Sequence, residues 1–417
     1  MADLVSSNSD AMLATHLGGC QPVAVPRFEP FTALRFDPNH AGSPLADLIA
    51  PPYDVLSSAD LDELGRRSRF NITHVDVPRE SDGPDRYDDA GARFRDWVDS
   101  GVLVRDPKPG FTIYRMTFSD ATGRRRSIAG VLGGLEVVAE GAGGVLPHER
   151  VTPKATTDRL DLTRATTANL SPVWGLSLAS GLTSALIEPG EMMGSVEVDG
   201  VKHQVERLTD PRRIAEIRQI IESDDVLIAD GHHRYGISRT YLADNPSLPG
   251  AGATLTFVNE LIEDQLSVEA IHRIYPGLAP DELRRRLEQR FTITVGAEAG
   301  PGILAAMNER DCLCLLEPNG SRAWLHPKPG AFDGVRSLDG AWLEATLPGV
   351  DVEYQHGYHE MVERVAGGDC GILIRPVSVA EIERTAREGL LMPPKSTFFT
   401  PKLQTGFVIR SMDPLGA

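Results

Sequence analysis

The chain has 417 residues, 41% of them apolar and 24% charged, with a formal net charge of −17. That length suits two or three domains, or one large interlocked body, and it buries a core without disulfide or metal staples. A surface this acidic repels nucleic acid and anionic membranes at long range, so neither is expected as a partner, although a local basic pocket stays possible.

No run of about 18 apolar residues is present, so no membrane-spanning helix is expected. The first residues carry Asp3 and Asp10 rather than a basic start before an apolar run, unlike a signal peptide. Residues 1–20 are expected to be disordered. The four cysteines, Cys20, Cys312, Cys314 and Cys370, form no Cys-x-x-Cys pair. That argues against a disulfide framework or zinc site and for a reducing, cytoplasmic setting. Cys312 and Cys314, two apart in an apolar run, would share one face of a strand.

Ordered structure is expected from Phe28 onward. In Ala50-Pro51-Pro52-Tyr53-Asp54-Val55 two prolines fix an extended backbone, a stiff loop able to hold Tyr53 and Asp54 in place. The segment reads equally well as a turn in which Asp54 caps the helix starting near Ser57. Residues 87–98 have a helical pattern that stops at Gly101. Residues 111–118 and 128–135 read as a hairpin around Arg124–Arg126, a solvated turn.

The next stretch, 146–159, gathers His148, Glu149, Arg150, Lys154, Asp158 and Arg159 within little more than a dozen residues. A charged helix entrance explains much of it, but His148-Glu149 after a proline fits no amphipathic face. Residues 158–168 read as a helix and 173–187 contain a strand. Thr209-Asp210-Pro211 supplies a cap and a first-turn proline, and Ile214, Ile217, Ile220 and Ile221 form a helical stripe.

The densest chemistry follows in Val226-Leu227-Ile228-Ala229-Asp230-Gly231-His232-His233-Arg234. Four apolar residues predict a buried strand, Asp-Gly breaks it, and a helix runs on through Leu242. A strand, a tight turn and a helix start aim N–H groups and a helix dipole at an anion. Gly231 allows the turn or a close backbone approach, and Arg234 can grip phosphate or carboxylate with paired hydrogen bonds. The plainer reading is a common Asp-Gly turn in which Asp230 caps the helix.

Residues 254–258 and 268–275 read as strands, the second carrying His272-Arg273. Residues 281–291 read as a helix, 312–316 and 371–374 as strands, and 379–389 as a helix. The tail, Met392-Pro393-Pro394-Lys395-Ser396-Thr397-Phe398-Phe399-Thr400-Pro401-Lys402, is stiff, aromatic and basic, and is expected to pack back onto the body near Gly231. The whole pattern predicts an α/β to α+β architecture with a mixed sheet.

Several of these motifs together resemble the family known as domain of unknown function 1015: Ala-Pro-Pro-Tyr-Asp-Val at 50–55, Pro-His-Glu-Arg at 147–150, Ala-Asp-Gly-His-His-Arg at 229–234, His-Arg at 272–273 and Met-Pro-Pro-Lys-Ser-Thr at 392–397. They occur in order over nearly the whole chain from about residue 25. More distantly, Asp-Gly-His-His-Arg is similar to the phosphate motif of the ParB/sulfiredoxin superfamily, a Gly-x-x-Arg turn before a helix. The free-serine kinases of that superfamily have a similar Asp-Gly-His-x-Arg sequence. The likeness covers a few dozen residues. The chain lacks the helix-turn-helix of ParB proteins, and His232 or His233 stands where sulfiredoxin chemistry needs a cysteine, which argues against both activities.

The resemblance implies a ParB/sulfiredoxin-like nucleotide-binding core with a smaller C-terminal α+β region. The expected division is a main body at 21–280, a C-terminal region at 281–390 and a tail at 391–417. The expected activity is phosphoryl transfer between a nucleotide, ATP or ADP, and a hydroxy-amino acid such as serine or phosphoserine, with Mg2+. Gly231, His232, His233 and Arg234 would bind phosphate. Glu149, then Asp230, would take the hydroxyl proton, with His148 beside them. Tyr53, Asp54, Lys154, Arg159, His272, Arg273 and Lys395 would bind substrate. A nucleotide-binding regulator without chemistry is the alternative. A metal-dependent hydrolase using His148, Asp230, His232 and His233 is a weaker one, because adjacent helical histidines point about 100° apart.

Overall fold

The computed structural model of the chain describes residues 25–120, 123–150, 156–297, 299–300 and 302–413, with 156–157 described by backbone alone. The expected disordered terminus, Cys20 and Lys154 lie outside the described residues. The architecture is mixed α/β, built on a large mixed sheet with helices.

Among the described residues that sheet has nine strands. Its central neighbours are Val226–Asp230, Val173–Ser177, Ala253–Glu260, Arg125–Glu136 and Phe111–Ser119, in that order. Val201–Leu208 and Glu191–Val198 extend one edge, Val145–Leu146 forms the other, and Phe28–Glu29 pairs with Arg125–Glu136. Val226–Asp230 runs antiparallel to Val173–Ser177 and parallel to Val145–Leu146.

Alternation along Val226–Asp230 fills both faces of the sheet. Leu227 and Ala229 join a cluster with Tyr114, Trp174 and Phe257. Val226 and Ile228 face the other way, toward Phe28, Phe111, Ile217 and Ile221. The isoleucine stripe therefore packs on the sheet that leads to the Asp-Gly turn. Its helix, Pro211–Ile221, starts where Asp210 accepts from the Arg212 and Arg213 N–H groups.

A second, six-stranded sheet is antiparallel throughout, in the order Phe291–Val295, Arg322–Pro327, Leu313–Leu316, Cys370–Leu373, Ile271–Tyr275 and Glu353–His356. Cys312 and Cys314 share one face of it, in a cluster with Met361 and Leu373.

Three local expectations need correction. Residues 281–291 are not one helix: Pro280–Leu287 is helical, and Phe291 opens a strand. The Leu283, Leu287, Phe291 spacing suits a helix, but the Thr-Ile-Thr-Val run after Phe291 is β-branched and prefers a pleated surface. Residues 268–275 form two strands: Ser267–Glu269 pairs with Phe398–Thr400 in the tail, while Ile271–Tyr275 enters the second sheet. Asp54 caps nothing, because Ser57 caps the helix Ser58–Arg67 with a reciprocal bond from Asp60.

The tail returns to the body. Phe399 is buried beside Trp174 in the main core, and Phe407 and Val408 join the same cluster. Met392 pairs in parallel with Glu149, donating to the His148 carbonyl and accepting from the Arg150 N–H. No helix among the described residues is long and apolar enough to cross a membrane.

Candidate functional site

The strand Val226–Asp230 ends at Gly231, whose φ of 87° is the left-handed conformation that favours glycine, and the helix His232–Asp244 begins at once. No side chain caps that helix, so its first N–H groups remain available to an acceptor. The turn forms the floor of a cleft of about 400 Å³ lined by Asp230, Gly231, His232, His233 and Arg234. Small-molecule sites run from roughly 300 to 1,000 Å³.

Asp230 is gripped from two sides. Its Oδ2 accepts from Arg234 at 2.7 Å and its Oδ1 from Lys402 at 2.9 Å. Burial pushes its carboxyl up, but Lys402 and then Arg234 outweigh that and hold it well below the ordinary range. Arg234 also donates to the Pro172 carbonyl, so both of its terminal nitrogens already have partners within the chain.

The tail forms one wall through Pro394, Lys395, Thr397, Phe398 and Lys402. Lys395 has a φ of 57°. Its ammonium has no hydrogen bond or ion pair among the described residues, yet it acts on His232, His233 and Glu149 through its charge. Among the described residues it is thus a cation without a partner in the cleft that the uncapped helix start lines.

Glu149 lines the cleft, but both its oxygens are occupied. Oε1 accepts from the Lys395 N–H at 2.8 Å, and Oε2 from Ser396 at 2.9 Å and Thr397 at 3.3 Å. Burial raises its pKa, and the Lys395 and Ser396 N–H groups pull against that.

The opposite wall comes from the second sheet: Ile271, Tyr354, Gln355, His356 and Glu360. Here too a strand, Glu353–His356, ends at a glycine of positive φ, Gly357 at 85°, and a helix, Tyr358–Ala366, begins. Two strand–glycine–helix corners thus face one cleft. The lining holds four cations (Arg150, Arg234, Lys395, Lys402) and four carboxylates (Asp54, Glu149, Asp230, Glu360). A balanced cleft spares an anionic ligand much of the repulsion of a −17 chain.

The structure therefore brings Tyr53, Asp54, Glu149, Asp230, Gly231, His232, His233, Arg234 and Lys395 to one cleft. Four other residues singled out in the sequence lie behind it. His148 is fully buried, donating from Nδ1 to the Ile228 carbonyl and accepting from Thr397 through Nε2. Both nitrogens are used, and burial pulls its pKa down to about 4. Arg159 stacks 4.1 Å over the Tyr53 ring and donates to Asp76. His272 accepts the Ile374 N–H, and burial pulls its pKa down to about 3. Arg273 is 4% exposed and donates to the carbonyls of Ile271, Pro394 and Lys395.

Lys402, Tyr354, Gln355, His356, Glu360 and Phe398 are cleft residues that the motifs did not assign. The repeated strand–glycine–helix pattern at 353–366 was the available signal for four of them.

No curated protein matches the chain. Several solved structures are similar in part. A free serine kinase variant in complex with ADP has a TM-score of 0.37 at 12% identity, covering 63% of this chain and 89% of that one. SbnI from Staphylococcus aureus, truncated at its C-terminus, has a TM-score of 0.39 at 14% identity, covering 69% and 90%. A conserved hypothetical protein from Pyrococcus furiosus has a TM-score of 0.38 at 10% identity, covering 64% and 91%. These likenesses are too loose to assign residue roles. The family model matches residues 28–341, and the chain belongs to the family described as Protein of unknown function (DUF1015).

Proposed function

We propose that the cleft binds the phosphates of a nucleotide, ATP or ADP, and moves a phosphoryl group between it and a small hydroxyl compound, with serine or phosphoserine the first to test. One observation carries the reading: the uncapped helix start at Gly231 lines the same cleft as Lys395, whose ammonium has no partner among the described residues, and Lys402. Phosphoryl transfer asks mainly for positioning and charge neutralisation, which N–H groups and ammoniums supply.

In this reading the N–H groups of His232, His233 and Arg234 cradle phosphate oxygens, and Lys395 and Lys402 neutralise them. Arg234 and Asp230 shape the turn as a pair. Glu149 orders the tail that carries Lys395, and Arg273 assists it. His148, Arg159 and His272 support the walls from behind, Arg159 through Tyr53. Among the described residues no group of three or more His, Cys, Asp or Glu side chains is placed to hold a metal. Mg2+ would bind through one or two carboxylates and the phosphates themselves. Asp54 and Glu360, lining residues whose side chains have no hydrogen bond or ion pair among the described residues, are the carboxylates available to it. The ion would offset phosphate charge.

A binding module without chemistry has one observation in its favour. Glu149 and Asp230, the carboxylates suited by sequence to accept a proton, are both engaged. Titration calorimetry of the full chain with ATP and ADP, with and without Mg2+, tests the shared requirement. The expected result is one site per chain, weakened at least tenfold in Lys395→Ala. Absence of nucleotide binding sinks both readings.

A further inference from the structure

His356 ends a strand of the second sheet and lines the cleft across from the Gly231 corner. Its Nε2 lies 2.6 Å from Glu269 Oε2. Glu269 sits on Ser267–Glu269, the short strand paired with the tail, and its other oxygen accepts from Thr400 at 3.2 Å. The hydrogen bond to His356 holds the Glu269 carboxyl below its usual range, so it is ionised near neutrality. An ionised carboxylate only accepts, so Nε2 carries the hydrogen, and whenever the ring is neutral Nδ1 holds the lone pair. Among the described residues Nδ1 has no partner.

The ring is also held in place. Phe398 stacks on it with centroids 3.9 Å apart, and Lys402 lies 4.1 Å over the same phenyl ring while it bonds Asp230. One continuous set of contacts therefore runs from Glu269 through His356, Phe398 and Lys402 to the phosphate turn. A carboxylate-oriented histidine with an open nitrogen in a cleft is the arrangement of a general base.

We propose that His356 is the acid–base residue of the phosphotransfer reaction, with Glu269 as its positioning residue. The inference rests on the phosphotransfer reading. In the step, the substrate hydroxyl oxygen forms a bond to the terminal phosphorus of the nucleotide as the bond from that phosphorus to the bridging oxygen breaks. The hydroxyl proton passes to His356 Nδ1 and then to solvent, and the shortened nucleotide leaves with the bridging electron pair. In the reverse direction the imidazolium returns the proton to the departing hydroxyl. This supplies the proton acceptor that Glu149 and Asp230, engaged elsewhere, do not.

The charges around the ring come from four elements: Glu269 on its short strand, His272 on the neighbouring strand, Glu360 on the following helix, and Lys402 beyond Phe398. Of these Glu269 alone bonds the ring.

The test combines nitrogen NMR of the unmodified chain with the kinetics of two variants. In the unmodified chain His356 is expected as the tautomer protonated at Nε2. His356→Gln is expected to keep ADP affinity within twofold and to lose at least a hundredfold in kcat. Glu269→Gln is expected to lower kcat with KM nearly unchanged, and to leave His356 as a mixture of the two neutral tautomers. The Nδ1-protonated tautomer, or kcat of His356→Gln within twofold of the unmodified chain, overturns the dyad and leaves phosphotransfer standing. Absence of turnover by the unmodified chain with intact ADP binding overturns phosphotransfer and the dyad with it.

Discussion

Glu149 and Arg273 hold opposite polarities of one turn. The carboxylate takes the N–H groups of Lys395, Ser396 and Thr397, and the guanidinium takes the carbonyls of Pro394 and Lys395. Glu149 pairs with the tail beside the main sheet, and Arg273 belongs to the second sheet. The segment carrying Lys395 is thus fixed from both sides.

If Glu149 is an anchor rather than a base, Glu149→Gln costs stability first. Hydrogen bonds to a charged group contribute about 1.5–3 kcal/mol, and the amide replaces one acceptor with a donor. Urea denaturation is expected to show a loss of that size, and hydrogen exchange should quicken at 395–397 before the core. Unchanged stability with turnover lost would return Glu149 to the role of base.

Gly231→Ala is expected to be costly out of proportion to one methyl group. A left-handed φ costs an L-residue about 1–2 kcal/mol. The new Cβ would also lie 3.1 Å from Arg234 Nε and 3.2 Å from the Val173 Cα. Calorimetry should show nucleotide affinity falling at least tenfold, since the displaced residues are the turn itself. Retained affinity would mean that phosphate binds elsewhere.

The buried histidines make the fold acid-sensitive in a defined window. Burial lowers His148 and His203 to about 4. The unfolded value is about 6.5. The folded pKa is the lower one, so this stability is complete above the unfolded value and is lost as pH falls toward 4. Each histidine should remove roughly 2 kcal/mol by pH 5. Denaturation midpoints measured between pH 7.5 and 5 should fall, and His203→Asn should flatten the slope. A flat profile would show that these rings are protonated in the fold.

The Asp230 pair acts at lower pH. Its depressed pKa means stability that is present above the ordinary carboxylate value and lost as pH falls below about 4. Lys402→Met leaves Arg234 as the partner, so the cost is expected on the order of 2 kcal/mol rather than that of a fully unpaired buried charge. Denaturation midpoints of the unmodified chain and this variant, measured from pH 5 down to 2, should show a shallower fall below pH 4 in the variant. An unchanged profile would remove Lys402 from the pair.

The cleft was legible where chemistry was compressed into short motifs. The Asp-Gly-His-His-Arg corner could be placed because an apolar run, a glycine turn and a helix start follow one another within nine residues. The aromatic, proline-stiffened tail signalled that it docks. Partnership was not legible. Nothing local in His148-Glu149 shows that the histidine is spent between Ile228 and Thr397 while the glutamate holds backbone N–H groups 246 residues away. Glu269 and His356 are 87 residues apart and meet because the tail strand and the second sheet converge. Strand pairing of that range is set by packing, which a single sequence does not display.

Phosphorus NMR of the full chain incubated with ATP or ADP, Mg2+ and a panel of hydroxy-amino acids tests the central claim most directly. The account predicts a new phosphomonoester resonance that grows as one nucleotide phosphate is lost, and its absence in Lys395→Ala. Nucleotide left intact with every acceptor would contradict it.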